Sequence, residues 1–127
     1  MRSAFWLLAA ALPGIVSCRV DTTIHDNLPP VVTITAPADG STVSGSVSID
    51  ADVSDDYGVA RVRFIVDGTV KSTTYSWPFH YDWSTLGLAP SSVHVITVEA
   101  IDEAQNQGTD QISVTVLNGT NAPPAAR

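Results

Sequence analysis

The sequence has very little cysteine and very little positive charge. Its 127 residues contain one cysteine, Cys18, which excludes an internal disulfide and a cysteine-rich zinc site. Charged residues make up 15% of the chain, and 6 Lys and Arg stand against 13 Asp and Glu. Nucleic acids are bound through stripes of Lys and Arg, and the sequence has no such stripe. We therefore expect no nucleic-acid partner.

The chain also lacks a long hydrophobic run, helical periodicity and the usual catalytic motifs. Its longest apolar run, residues 4–12, is far shorter than the ~20 residues of a transmembrane helix. No segment supports a helix of about ten residues with apolar side chains at 3.6-residue spacing. Neither G-x-S-x-G, H-E-x-x-H nor a Gly-rich phosphate loop occurs. We therefore expect a protein that is built of strands and has no enzymatic activity.

The amino-terminal segment before Cys18 has the features of a secretory signal peptide. Arg2 and the amino group of Met1 supply positive charge, the apolar run follows, and the Pro-Gly pair at 13–14 ends it. This order is typical of a signal peptide, in which the apolar part is shorter than a membrane span.

The end of this segment, Ile-Val-Ser-Cys at residues 15–18, resembles the bacterial lipobox. The resemblance implies cleavage after Ser17, lipidation of Cys18 on sulfur and acylation of the new amino terminus. Two or three acyl chains hold a protein firmly, because each buried CH₂ contributes about 0.8 kcal/mol. We therefore expect a membrane partner through the lipid anchor and a cell-envelope location. The alternative is an ordinary signal peptide with an incidental cysteine.

Removal of the signal peptide, residues 1–17, leaves a short segment before the central region. Residues 18–30 have no sustained periodicity and end in Pro-Pro, which predicts the lipidated cysteine followed by a flexible tether of roughly 20 Å. In lipoproteins, Asp after the cysteine favours inner-membrane retention. Arg19 stands there instead, so the resemblance implies the outer membrane if the cell is Gram-negative. Residues 118–127 repeat the Asn-x-Pro-Pro pattern of the tether and predict a disordered tail.

The central region, residues 31–117, consists of short stretches in which apolar and polar residues alternate, separated by turn residues. In one of them Val47, Ile49 and Ala51 share a face, while Ser48 lies on the other. One-face alternation is what a sheet with one buried side needs. About seven such strands predict an all-β immunoglobulin-like sandwich of two antiparallel sheets.

Three stretches resemble the bacterial immunoglobulin-like domain. They are P-x-V-x-I-T-x-P-x-x-G at 30–40, G-V-x-x-V-x-F-x-V-D-G at 58–68 and H-x-I-x-V-x-A-x-D at 94–102. The resemblance covers residues 29–117 and implies a surface module for binding, adhesion or spacing, with Trp83 in the core. Gln105 stands where the family usually has glycine, so that turn must avoid positive φ or tolerate its cost.

Five acidic residues are expected at one pole of this sandwich. Asp52, Asp55 and Asp56 lie in or beside the loop between the second and third predicted strands. Asp102 and Glu103 begin the loop before the last strand. In an immunoglobulin-like topology these loops share one end, and calcium takes six to eight oxygen ligands. A calcium-stabilised spacer is therefore one hypothesis. The alternative is that these acids simply form turns. No other cofactor is expected.

An aromatic stretch at residues 75–83 holds five of the nine aromatic residues. Exposed Tyr and Trp stack on sugars and anchor protein interfaces. We therefore single out Tyr75 and Trp77 as candidate contacts for a protein or glycan partner, with edge packing as the alternative.

Two further side-chain contacts are predicted. Arg61 and Arg63 face outward on the third strand and Glu99 on the sixth, which predicts an exposed cross-strand Arg–Glu pair worth about 0.2–1 kcal/mol. His94 is placed on the inward side of its strand with a hydrogen bond to nearby backbone.

Overall fold

The computed structural model describes residues 25–117, in which every element is a strand. The strands are β1 (Val31–Ala36), β2 (Thr42–Val43), β3 (Ser46–Ser54), β4 (Val59–Val66), β5 (Thr69–Thr74), β6 (Phe79–Ser84), β7 (Val93–Asp102) and β8 (Gln107–Val116). They form a three-stranded sheet of order β1-β3-β6 and a five-stranded sheet of order β2-β8-β7-β4-β5. This confirms the predicted all-β sandwich. The predicted signal peptide, Cys18 and the tail lie outside the described residues.

The sheets are antiparallel except for one short pairing that the sequence did not predict. β2 runs parallel to β8, with Thr42 opposite Thr115. The chain leaves the first sheet after β1, turns at Gly40 with a φ of 83° and joins the edge of the second sheet. Gly40 N donates to the carbonyl of Ser113 at 2.7 Å. A two-residue strand is too short for apolar periodicity to reveal it, so the strand count is eight and not about seven.

The core lies between the two sheets and is filled by the inward side chains of the long strands. Phe64 is fully buried and Trp83 is 3% exposed, which confirms the predicted core position of the tryptophan. The Phe64 and Tyr81 rings lie 6.0 Å apart between centroids. Burial of such large apolar side chains contributes roughly 1.5–3 kcal/mol each, so they supply much of the stability of a small domain without disulfides.

Residues 26–30 lie against the sandwich, which shortens the segment that can act as a tether. Pro30 is buried, and its carbonyl oxygen lies only 2.0 Å from the position that a Cβ on Gly108 would occupy. Asn106 Nδ2 donates to the carbonyl of Asp26 at 2.8 Å. The last residues of the predicted tether therefore belong structurally to the domain.

The β7–β8 turn shows how the chain accommodates Gln105 in place of glycine. Gln105 has a φ of 73°, so the turn keeps the positive φ and bears its cost of roughly 1–2 kcal/mol. Asp102 Oδ1 accepts hydrogen bonds from the backbone amides of Ala104 and Asn106, both at 2.8 Å. These bonds to a buried carboxylate offset the backbone strain and hold the turn in place.

Candidate functional site

One end of the sandwich gathers acidic side chains from three separate parts of the chain. The β3–β4 loop supplies Asp55 and Asp56, and the segment before β1 supplies Asp26. Carboxylate oxygens of these three residues lie within 4.8 Å of one another. The β7–β8 turn meets the same end, because Glu103 N donates to the carbonyl of Gly58 at 2.9 Å. We call this end the acidic pole.

The five acids predicted for calcium are only partly brought together. Asp55 and Asp56 belong to the group above, but Asp52, Asp102 and Glu103 do not. Asp52 lies exposed on β3, and Asp102 is fully buried with its oxygens occupied by the turn. The calcium hypothesis stays a prediction, with a different set of acids at its centre.

Asp26 was missed from sequence because it precedes the first strand and was assigned to the tether. The hydrogen bond from Leu28 N lowers its pKa, but burial and the neighbouring carboxyl groups of Asp102 and Asp56 outweigh that bond. The pKa of Asp26 is therefore raised above its ordinary value. Burial acts against the charged form of Asp102 too, but hydrogen bonds from Asn106 and Ala104 prevail and hold its pKa below the ordinary value.

Asp55 stabilises a turn, whether or not it also binds a ligand. Its Oδ2 accepts hydrogen bonds from the amides of Tyr57 and Gly58, at 2.8 and 2.9 Å, so the residue also forms a turn. Its other oxygen, Oδ1, is buried and has no hydrogen-bond donor among the described residues, and the same holds for Oδ2 of Asp26. Both oxygens are shielded from solvent, so each carries the cost of an unmet hydrogen bond.

The aromatic candidates lie on the connection between β5 and β6. Trp77 is 75% exposed and Tyr75 is 71% exposed, whereas Phe79 and Trp83 in the following strand are buried. Two large side chains are therefore available to a ligand, as expected. Whether they bind one stays a prediction.

The predicted cross-strand ion pair forms between Arg63 and Glu99, which stand directly opposite each other in β4 and β7. Nε and Nη2 of Arg63 both contact Oε1 of Glu99. The prediction of an exposed pair was wrong, because the Glu99 side chain is only 10% exposed and that of Arg63 is 33% exposed.

His94 is partly buried as predicted, but its partners are side chains and not backbone. Nδ1 lies 2.6 Å from Oδ2 of Asp67, and Nε2 lies 2.7 Å from Oγ of Ser92. His94 thus lies between an aspartate and a serine, which is the order of contacts in a hydrolase triad. However, the Ser92 hydroxyl donates to the carbonyl of Ala89 at 2.5 Å, so its proton points away from the histidine. The contact instead joins the β4–β5 turn to the loop before β7.

A second polar cluster lies on the outward face of the three-stranded sheet. His80 Nδ1 lies 2.7 Å from Oδ1 of Asp50, directly opposite on β3, and Nε2 lies 3.1 Å from Oδ1 of Asp82. The hydrogen bond to Asp50 raises the pKa of His80, and the same bond lowers the pKa of Asp50. The alternation of polar residues on β3 and β6 was the sequence signal that could have revealed this cluster.

The pH dependence of stability tests this cluster. The raised His80 pKa stabilises the fold below about pH 6.5 and that contribution is lost as pH rises through the folded-state value. The lowered Asp50 pKa stabilises it above about pH 3.8 and is lost at lower pH. We expect His80→Gln to lower the thermal midpoint by a few degrees near pH 5 and by nothing near pH 8. Circular dichroism melts of the wild type and the variant at both pH values measure this difference. A difference in midpoint that did not change with pH would contradict the prediction.

With this geometry in place, comparison with known proteins gives a clear result. The pattern of the bacterial Ig domain matches residues 30–114, which run from the docked segment into β8. This chain belongs to the bacterial Ig domain family. No curated protein matches the chain. Within residues 25–117, this Ig domain has no helix long and apolar enough to cross a membrane.

The solved structures that resemble the Ig domain include fibronectin(III)-like modules and a mannanase. The fibronectin(III)-like modules of Clostridium thermocellum CbhA share 31% identity at a TM-score of 0.60, over 71% of this chain and 47% of that one. This chain thus matches about half the length of that structure. The endo-beta-1,4-mannanase from Thermotoga petrophila shares 18% identity at a TM-score of 0.58, over 74% of this chain and 21% of that one, a likeness of fold alone. Such domains are typically non-catalytic, so the Ig domain is a structural or binding module.

Proposed function

We propose that this protein is a bacterial cell-surface lipoprotein whose Ig domain serves binding, adhesion or spacing and has no enzymatic activity. The observation that carries the proposal is the order of features along the chain. A lipobox-like run ends at Cys18, and the described Ig domain is already in contact with its amino-terminal segment at Asp26. An anchored Cys18 would therefore hold the acidic pole, where that segment enters, at the membrane side of the domain.

The non-catalytic part of the proposal rests on how the described polar groups are used. Asp102 is occupied by its turn, Asp55 holds another turn through one oxygen, and the Ser92 hydroxyl donates to a backbone carbonyl. A glycosidase needs two carboxyl groups on either side of a sugar cleft, one of them a proton donor. The carboxyl groups of Asp26, Asp55 and Asp56 instead have oxygens within 4.8 Å of one another, which leaves no sugar cleft between them.

Replacing Cys18 with serine tests the anchor. We expect Cys18→Ser to move the protein from the membrane fraction to the soluble fraction, because the sulfur that carries the lipid is gone. The thermal midpoint should not change, since the described domain begins seven residues later. Thr23→Ser, which keeps the lipobox, is the control and should stay with the membrane. If Cys18→Ser stayed with the membrane as well, the lipoprotein proposal would fail.

Exposure of Trp77 and Tyr75 favours a second candidate function, carbohydrate binding. We expect wild-type protein to bind a subset of sugars on a glycan array and Trp77→Ala to bind them about tenfold more weakly, as is usual for a central aromatic contact. Val70→Ala, at another exposed apolar position on β5, should bind like wild type. A silent array, or binding that survives Trp77→Ala, would exclude this candidate.

A further inference from the structure

An open groove runs beside the acidic pole, between the docked amino-terminal segment and the β3–β4 loop. Its volume is about 530 Å³, and we call it the Leu28 groove; its lining residues are Leu28, Pro29, Val31, Ser54, Asp55 and Asp56. One wall is apolar, and its side chains are left in water: Leu28 is 62% exposed and Val31 is 65% exposed. The opposite wall carries two carboxylates. The groove therefore pairs an apolar surface with negative charge.

The negative charge at this groove is not balanced by the described part of the chain. The ion pairs of residues 25–117 join Arg63 to Glu99 and the histidines to other acids, and none involves Asp55 or Asp56. Within the same residues, Asp55 Oδ1 is buried without a hydrogen-bond donor. Nearby Asp26 contributes a third carboxyl group. A partner that brings positive charge to the exposed carboxylate of Asp56 would balance this charge.

We propose that the Leu28 groove is a docking surface for a partner-protein segment in which an arginine stands beside an aliphatic side chain. A guanidinium group presents five N–H donors in one plane and can therefore serve several carboxylate oxygens at once. The methylene stem of the arginine and the neighbouring aliphatic side chain would cover Leu28 and Val31. This inference rests on the proposed function as a binding module and specifies the chemistry of its partner.

Other occupants fit the groove less well. An anionic membrane surface is repelled by three grouped carboxylates, and so is a second copy of a chain with a formal net charge of −7. A calcium ion would satisfy Asp26, Asp55 and Asp56 but would leave Leu28 and Val31 exposed to water. Only a segment that is both basic and apolar matches both walls.

Amide NMR of the isotope-labelled full chain tests the proposal with two matched probes. The probes are acetyl-Leu-Arg-Leu-amide and acetyl-Leu-Gln-Leu-amide, which differ in charge and share their flanking leucines. We expect saturable shifts at Leu28, Val31 and Ser54, with an affinity about two- to fivefold higher for the arginine peptide. Asp56→Asn should remove that preference, and Asp82→Asn, at an exposed acid on β6, should keep it. Leu28→Ser should weaken both peptides.

The proposal would be overturned by an absence of saturable shifts at the groove or by equal affinity for the two peptides. It would also be overturned if calcium chloride displaced the arginine peptide, because the acidic pole would then be a cation site. A much higher peptide affinity in Arg19→Ala would overturn it as well, because the chain's own basic residue would then compete for the groove. Each variant is also melted, so that a loss of binding is read only from folded protein. None of these results bears on the anchor, which Cys18→Ser tests separately.

Discussion

Replacing Gly108 with alanine is expected to lower the thermal midpoint by about 4–24 °C. A Cβ at this position would lie 2.0 Å from the carbonyl oxygen and 3.1 Å from the carbonyl carbon of Pro30. The obstacle is backbone, and the proline ring at the same residue restricts how it can move. Overpacking of this kind costs roughly 1–3 kcal/mol, and each kcal/mol shifts the midpoint of a small domain by about 4–8 °C.

The matched control for this prediction is Gly68→Ala. Gly68 has a φ of 84°, and nothing lies within 4 Å of the point where an alanine methyl group would stand, so its substitution carries only backbone strain of roughly 1–2 kcal/mol. Gly108, by contrast, has no positive φ and suffers only the collision. Calorimetry of both variants shows whether the collision at Gly108 costs more than the backbone strain at Gly68. An unchanged midpoint for Gly108→Ala would mean that the docked segment can leave the sandwich at no cost.

Replacing Arg63 with methionine is expected to destabilise the domain by about 2 kcal/mol. Methionine keeps much of the aliphatic length of the side chain but removes the charge, and the buried Glu99 is then left without its partner. Exposed pairs are worth about 0.2–1 kcal/mol, whereas removing one member of a buried pair costs about 3–5 kcal/mol. The intermediate burial of Arg63 places this pair between those limits.

Urea unfolding measures the effect, and two further variants establish its cause. Arg61→Met changes a neighbouring arginine on the same strand and should alter stability by less than about 0.5 kcal/mol. Glu99→Leu in the Arg63→Met background should restore stability, because it removes the buried charge that was left alone. If the double variant were no more stable than Arg63→Met, packing of the arginine stem and not charge would explain the loss.

Much of the fold follows from local pattern, and particular residues show why. Alternation along β3 placed Val47 and Ile49 inside, and both are buried. The alternation in β4 and β7 also put Arg61 and Arg63 on the same face as Glu99, and the strand register then selects Arg63 as the direct partner. β2 was missed because two residues show no periodicity, and its pairing partner β8 lies more than 70 positions away in sequence.

The candidate sites depend more on contacts between distant residues, which sequence does not contain. Trp77 was singled out because it belongs to the local aromatic stretch at residues 75–83, and it is 75% exposed. Asp26 could not be found in this way, because nothing local distinguishes it from the rest of a polar segment. It joins Asp55 and Asp56 only through the docking of residues 26–30 onto β8.

The sequence by itself determined the strand-forming region, the two-sheet class and the identity of the outward and inward faces, because side-chain alternation is a local property of each strand. Tertiary structure alone decided three things: that the segment before β1 packs on Gly108, that the Arg63–Glu99 pair is half-buried, and that carboxylates from separate loops meet beside an apolar groove. These depend on how far apart in space two distant segments finally lie. Burial and charge proximity follow from that distance, and no local pattern encodes it.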